Sequence, residues 1–162
     1  MSTTTKAGNT AAATETRILR EGYGDGAWHG ADLKAALADV TEATAFWRPA
    51  PGRHNIAEIA LHHAYYTHAV RAKLSEVEPE PFVLAGDDWF PVPDSAAMMW
   101  AKIRDVVALE HERLAECVSD INGGRTRSPL PESERFDVVL GITCHAVYHA
   151  GQIQLIKRLS GS

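Results

Sequence analysis

Apolar residues recur at helical spacing along most of the chain. In the segment that follows Asn55, the residues Ile56, Ile59, Ala60, Val70 and Leu74 fall on one face of a 3.6-residue period. Near the C-terminus Val138, Ile142, Ile153 and Ile156 form a second such stripe. No alternating pattern of the kind a strand requires competes with them, and there is no internal repeat. The periodicity predicts a first helix beginning near Thr16, a second piece over Ala31 to Val40, and a long helix from Asn55 to about Glu76. A further helix is expected from Asp94 or Ser95 to near Ile121, and a last one from about Glu134 to Leu159. Gly22-Tyr23-Gly24-Asp25-Gly26 should break the first helix, because three glycines in five residues disfavour it. Asn55 reads as an N-cap, with Glu58 three residues on as in a capping box. Pro49-Ala50-Pro51-Gly52 marks a connection, and Pro79, Pro81, Pro91 and Pro93 bracket a non-helical crossover. Asn122-Gly123-Gly124 stops the next helix, and a loop with Pro129 and Pro131 leads into the last. The pattern is that of an all-α chain, a four-helix bundle with one longer crossover connection.

Composition narrows the class. A chain of 162 residues, 45% apolar and 23% charged, fits a single globular domain. That domain is expected over 15–162, with the Thr/Ala-rich stretch 1–14 as a disordered tail that lacks the apolar core of a secretory signal. The net charge of −5 argues against nucleic acid and against a polybasic membrane patch. No apolar run approaches the ~20 residues of a membrane span. Cys117 and Cys144 form no Cys-x-x-Cys pair, so zinc-finger and thioredoxin readings have no support, and reduced thiols in a cytoplasm fit best.

Chemistry concentrates in Cys144-His145-Ala146-Val147-Tyr148-His149-Ala150-Gly151-Gln152-Ile153. His145 and His149, four residues apart, lie one turn apart on the same helical face, within an otherwise apolar stripe. Buried imidazoles need partners for both ring nitrogens, and a shared divalent cation supplies one. A hydrogen-bonded pair in the core is the alternative. A useful metal site needs a third ligand, and the chain has eight histidines. His111, among Glu110, Glu112 and Arg113, reads as a solvated surface residue. His54 reads as part of a loop or cap, and His29 takes a structural role by default. The helix after Asn55 offers His62, His63 and His68. Periodicity favours His63, which is centred on the apolar stripe, whereas His62 stands four residues after Glu58 and four before Tyr66. The local pattern leaves both open.

The run His54-Asn55-Ile56-Ala57-Glu58-Ile59-Ala60-Leu61-His62, followed by Gly141-Ile142-Thr143-Cys144-His145 and Tyr148-His149-Ala150-Gly151-Gln152-Ile153, resembles the DinB/YfiT-like superfamily. Trp28-His29-Gly30 and Asp88-Trp89-Phe90-Pro91 extend the resemblance over roughly residues 15 to 160. It implies a four-helix bundle that holds a divalent metal with three histidines, one from the second helix and two from the last. In that register the ligands are His62, His145 and His149, with His63, at a position usually filled by an apolar core residue, as the fallback. Three neutral imidazoles would leave coordination positions open, the layout of a catalytic rather than a closed structural site. Zinc or nickel suits such a set best.

The resemblance further implies a metal-dependent enzyme, a thiol S-transferase or a hydrolase, acting on a small-molecule electrophile with a low-molecular-weight thiol or water as nucleophile. Glu58, Tyr148 and Gln152 are the candidates for orienting a ligand or moving a proton. Trp89 and Phe90 are candidates for shielding the cavity. The competing reading is a non-catalytic metal-binding or stress-response module whose main task is dimerisation. Either way a homodimer is expected, because small bundles tend to bury a leftover apolar stripe against a second copy.

Overall fold

The structure, a computed structural model, describes residues 14–24 and 26–161. The expected disordered tail lies, but for its last residue, outside the described residues. Those described are all helical or irregular, with no strand among them. We label the helices α1 (14–22), α2 (Leu33–Ala38), α3 (Glu42–Phe46), α4 (Ile56–Leu74), α5 (Trp100–Asn122) and α6 (Glu132–Ser160).

Local chemistry sets most boundaries. Asn55 caps α4 through its side-chain oxygen, which accepts from Glu58 N–H at 2.8 Å. The reciprocal half of a capping box is missing, because the Glu58 carboxylate is engaged elsewhere. Asp32 and Thr41 cap α2 and α3 in the same way. Gly124 and Gly161 take positive φ beyond the ends of α5 and α6, where a side chain would be strained. The start of α5 differs from expectation. Asp94 Oδ1 accepts from Ala96 N–H and Ala97 N–H, which closes a turn, and Met99 is then extended, so the continuous helix begins at Trp100.

α4 packs against both α5 and α6, and α2 lies against α6. A large apolar cluster joins Leu33, Leu37, Ile56, Leu61, Ile103, Val107 and Ile153. A smaller one, from α1 and the opposite ends of the long helices, joins Leu19, Leu74, Leu114, Val118, Val139 and Ile142. Between these clusters buried polar side chains replace apolar ones: His63 and Thr67 on α4, Glu110 and His111 on α5, Thr143 on α6. Gly22 ends α1 where a Cβ would stand 3.0 Å from the Ala146 Cβ and 3.2 Å from Thr143 backbone atoms, so α1 reaches α6 closely only with glycine there. Lys157, buried on α6, donates to the Ala36 carbonyl and pairs with Asp39, tying α6 to the end of α2.

The crossover between α4 and α5 is pinned to the first turns of α4. Asn55 Nδ2 donates to the Val92 carbonyl at 2.9 Å, and Val92 N–H donates to Glu58 Oε1 at 3.2 Å. Phe90 and Val92 are buried in the large cluster, and Trp100 Nε1 donates to the Val40 carbonyl. These bonds hold the Gly86–Trp89 turn beside the middle of α4.

Candidate metal centre

The helix spacing does what the sequence expects of it. His145 and His149, one turn apart on α6, face His62 in the middle of α4. His145 Nε2 lies 3.2 Å from His62 Nε2 and 3.1 Å from His149 Nε2, and the three sets of ligand atoms lie within 4.8 Å of one another. Imidazole nitrogens bound about 2.0–2.1 Å from one ion, at angles between about 90° and 110°, stand about 2.9–3.4 Å apart. The observed separations fall inside that range.

The remote nitrogen of each ring explains the convergence. His62 Nδ1 is 3.0 Å from the Asp88 carbonyl and 3.1 Å from Asp88 Oδ1; both only accept, so Nδ1 carries the proton. His149 Nδ1 donates to Gln152 Oε1 at 2.6 Å. His145 Nδ1 meets the ring of His63 at 2.9 Å. With Nδ1 protonated on His62 and His149, their Nε2 atoms present lone pairs to the space they share with His145. Facing lone pairs repel unless something electron-deficient lies between them, so this donor set fits a divalent metal.

Electrostatics favour the neutral, ligating forms. Burial, reinforced by the neighbouring imidazoles, holds His145 down to about 4. Burial and His62 hold His149 to about 4 against the opposing hydrogen bond to Gln152. His63 is fully buried, and desolvation followed by the surrounding histidines pushes it well below the usual imidazole range. Each of these imidazoles is therefore neutral at pH 7.

The surroundings are aromatic and positioned by hydrogen bonds. The Trp89 ring stacks on His62 with centroids 3.9 Å apart and on His54 at 3.6 Å. Asp88, which accepts from His62, has φ of +62°, a left-handed conformation that aspartate tolerates better than most residues. Tyr66 packs edge-on against His62. Gln152 Nε2 donates to the Tyr148 hydroxyl at 3.1 Å, so Tyr148 holds the amide that holds His149. Alongside runs a cleft of about 460 Å³ lined by Ala50, His54, Ile59, Trp89, Gln152 and Ile156.

Glu58 is not free to act as a base. Arg48 binds both of its oxygens, His54 Nδ1 donates to Oε2 at 3.0 Å, and Val92 N–H takes Oε1. Burial pushes Glu58 up, but the bonds from Arg48, His54 and Val92 outweigh it and leave its carboxyl below the usual range. It clamps the crossover to α4. Tyr148 is exposed, and Gln152 accepts from His149. His63 lies one step inward from the three converging rings.

His111 departs from its reading as a solvated residue. It is buried, in the stripe Val107, His111, Leu114 and Val118 of α5, and its Nε2 lies 2.8 Å from His63 Nε2. Its charged neighbours concealed a position at core spacing; desolvation lowers it to about 3. His29 is exposed, and its Nε2 donates to the Glu21 carbonyl. His54 precedes the N-cap and supports Glu58, and Cys144 is exposed, away from the converging nitrogens. The pairing of Asp88 with His62 has no signal in the sequence beyond the block Asp88-Trp89-Phe90-Pro91 itself.

Among known families, the model described as the DinB superfamily matches residues 26–153. No curated protein and no solved structure matches the chain. No helix among the described residues is long and apolar enough to cross a membrane.

Proposed function

The chain belongs to the DinB superfamily, and from its converging imidazoles we propose that it binds one divalent transition metal through Nε2 of His62, His145 and His149 and is a metal-dependent enzyme. The observation that carries the reading is the set of remote nitrogens: Asp88 and Gln152 take the Nδ1 protons of His62 and His149, which turns lone pairs toward a common point. A zinc or nickel ion there would lower the pKa of a thiol or water and polarise an electrophile. The residues around it supply the rest. Asp88, Gln152 and Tyr148 orient the ligand rings, Trp89 covers the outer face of His62, and the adjoining cleft, apolar over most of its lining, favours a small electrophile with an apolar body.

Thiol S-transfer and hydrolysis are the two reaction types this arrangement suits, with a low-molecular-weight thiol or water as nucleophile. Because Glu58 is saturated by Arg48, His54 and Val92, a hydrolytic reaction would need another proton acceptor. That observation favours the transferase, because a free thiol is about seven pKa units more acidic than water and, held by the metal, would release its proton to solvent without a dedicated base. The helix arrangement supports a four-helix bundle of α1, α4, α5 and α6 with the α4–α5 connection as the long crossover. Leu140, Tyr148, Leu155 and Leu159 leave an apolar stripe exposed along α6, which favours a homodimer through that helix.

The test is metal analysis of protein purified without an immobilised-metal column, followed by assay of the reloaded protein with model electrophiles and a panel of thiols. About one equivalent of zinc or nickel, lost in His62→Ala, and conjugation that requires added thiol are expected. Less than about a tenth of an equivalent after reloading at neutral pH would sink the metal reading. Turnover without thiol would sink the transferase and leave the hydrolase.

A further inference from the structure

Two of the converging rings have their tautomer set by groups that can only accept. His145 differs, because its Nδ1 faces another imidazole, His63 Nδ1 at 2.9 Å, and either nitrogen could in principle hold the proton. The ambiguity is resolved one residue further in. Thr67, fully buried one turn along α4, spends its only hydroxyl proton on the His63 carbonyl at 2.9 Å. Its oxygen also lies 3.2 Å from His63 Nε2, and with no second proton to give, it can only accept there. His63 Nε2 therefore carries the proton and points it at Thr67 Oγ and at His111 Nε2, 2.8 Å away. Its Nδ1 is left with a lone pair, and His145 Nδ1–H must donate to it.

We infer that Thr67 and His63 are positioning residues that fix His145 as the Nδ1–H tautomer and so aim its Nε2 lone pair at His62 and His149. With the opposite tautomer at His63, His145 would carry its proton on Nε2, in the middle of the three converging nitrogens. The chain continues outward. Since His63 Nε2–H donates to His111 Nε2, His111 is the Nδ1–H tautomer, with its ring stacked on Tyr23 at 4.0 Å between centroids. Two buried side chains of α4, Thr67 and His63, thus determine which nitrogen of His145 on α6 is available, and no change of charge is involved. The inference deepens the metal reading and rests on it for its consequence, though not for its geometry.

Long-range proton–nitrogen NMR of the imidazoles tests it directly in the unsubstituted protein. In metal-free protein at pH 7.5 the expected pattern is Nε2–H on His63 and Nδ1–H on His111 and His145. Finding His63 protonated on Nδ1 overturns the inference. This measurement needs no metal, so a protein that shows the expected pattern yet binds no zinc refutes the proposed function and leaves the positioning role intact. Zinc affinity, by competition with a chromophoric chelator, reads the consequence. His63→Leu removes the acceptor and should weaken binding about 10–100-fold, the range found when a ligand loses its supporting hydrogen bond. His63→Gln, whose amide oxygen can accept from His145 while its NH₂ faces Thr67 and His111, should recover affinity to within about threefold. Zinc affinity within twofold of the parent in folded His63→Leu refutes the inference, as does His63→Gln binding no better than His63→Leu. Should His63→Leu fail to fold, the tautomer pattern of the parent decides.

Discussion

Lowering the pH from 7.5 to 5.0 should destabilise the metal-free protein well above the range in which carboxylates titrate. In the unfolded chain each histidine takes up a proton near pH 6.5, whereas a buried neutral imidazole does not. The unfolded state then binds more protons, so stability falls as pH falls below 6.5 and continues to fall until the folded-state value is reached. For His111 that lower limit is about 3, set by desolvation. At pH 5.0, 1.5 units below the unfolded value, each imidazole that stays neutral in the fold costs about 2 kcal/mol at 1.36 kcal/mol per unit. His63 and His111, both buried, together account for about 4 kcal/mol. His145 and His149, held to about 4, shift stability the same way, with a smaller share from half-buried His145, whose charge water screens. Against a typical domain stability of about 5–15 kcal/mol this is a large loss. Glu58, held below the usual carboxyl range, adds little to it, since the unfolded carboxyl titrates mostly below pH 5. Urea unfolding followed by circular dichroism at the two pH values, with chelator present, gives the difference. A change below about 1 kcal/mol would refute the neutral, buried state of His63 and His111.

Other outcomes follow from single contacts. Asp88→Ala removes a His62 acceptor and strains a left-handed position, so zinc affinity should drop about tenfold or more, whereas Asp88→Asn, which keeps an acceptor and tolerates that φ, should lose less; chelator competition compares them. Glu58→Gln leaves Arg48 without its carboxylate and should cost about 2–3 kcal/mol in urea unfolding while metal content stays at one equivalent; loss of metal with unchanged stability would contradict its clamping role. Gly22→Ala puts a methyl 3.0 Å from Ala146 and 3.2 Å from Thr143 backbone, and thermal melts should show about 1–3 kcal/mol of destabilisation. Light scattering should give twice the chain mass, and Leu155→Glu should halve it without affecting zinc binding.

Much of this arrangement is legible in the chain. The helical stripes, the Asn55 cap and the glycines after Asn122 locate the long helices because those signals are local. The i, i+4 spacing of His145 and His149 places both rings on one face without knowledge of the partner helix. The choice between His62 and His63 is different in kind, because a one-residue step on α4 rotates a side chain by about 100° and only the neighbouring helices say which face is which. Both histidines lie at the cluster, His62 facing His145 and His149 and His63 behind His145. His111 was hidden because Glu110, Glu112 and Arg113 gave its segment a solvated look, although Val107, Leu114 and Val118 flank it at core spacing. The part played by Asp88 depends on a loop conformation that Val92, Asn55 and Glu58 hold from a distance, and no short pattern encodes it.

The stacking of Trp89 on His62 has an experimental consequence. The indole is sandwiched between His54 and His62, with ring centroids 3.6 and 3.9 Å away, so its excited state is exposed to whatever changes the electron density of either imidazole. A cation drawing density from His62 should alter the emission of this one tryptophan. Trp28, Trp47 and Trp100 have no stacked histidine among the described residues and would provide the steady background. The protein thus carries its own optical gauge of the centre, and a Trp89→Phe variant supplies the blank.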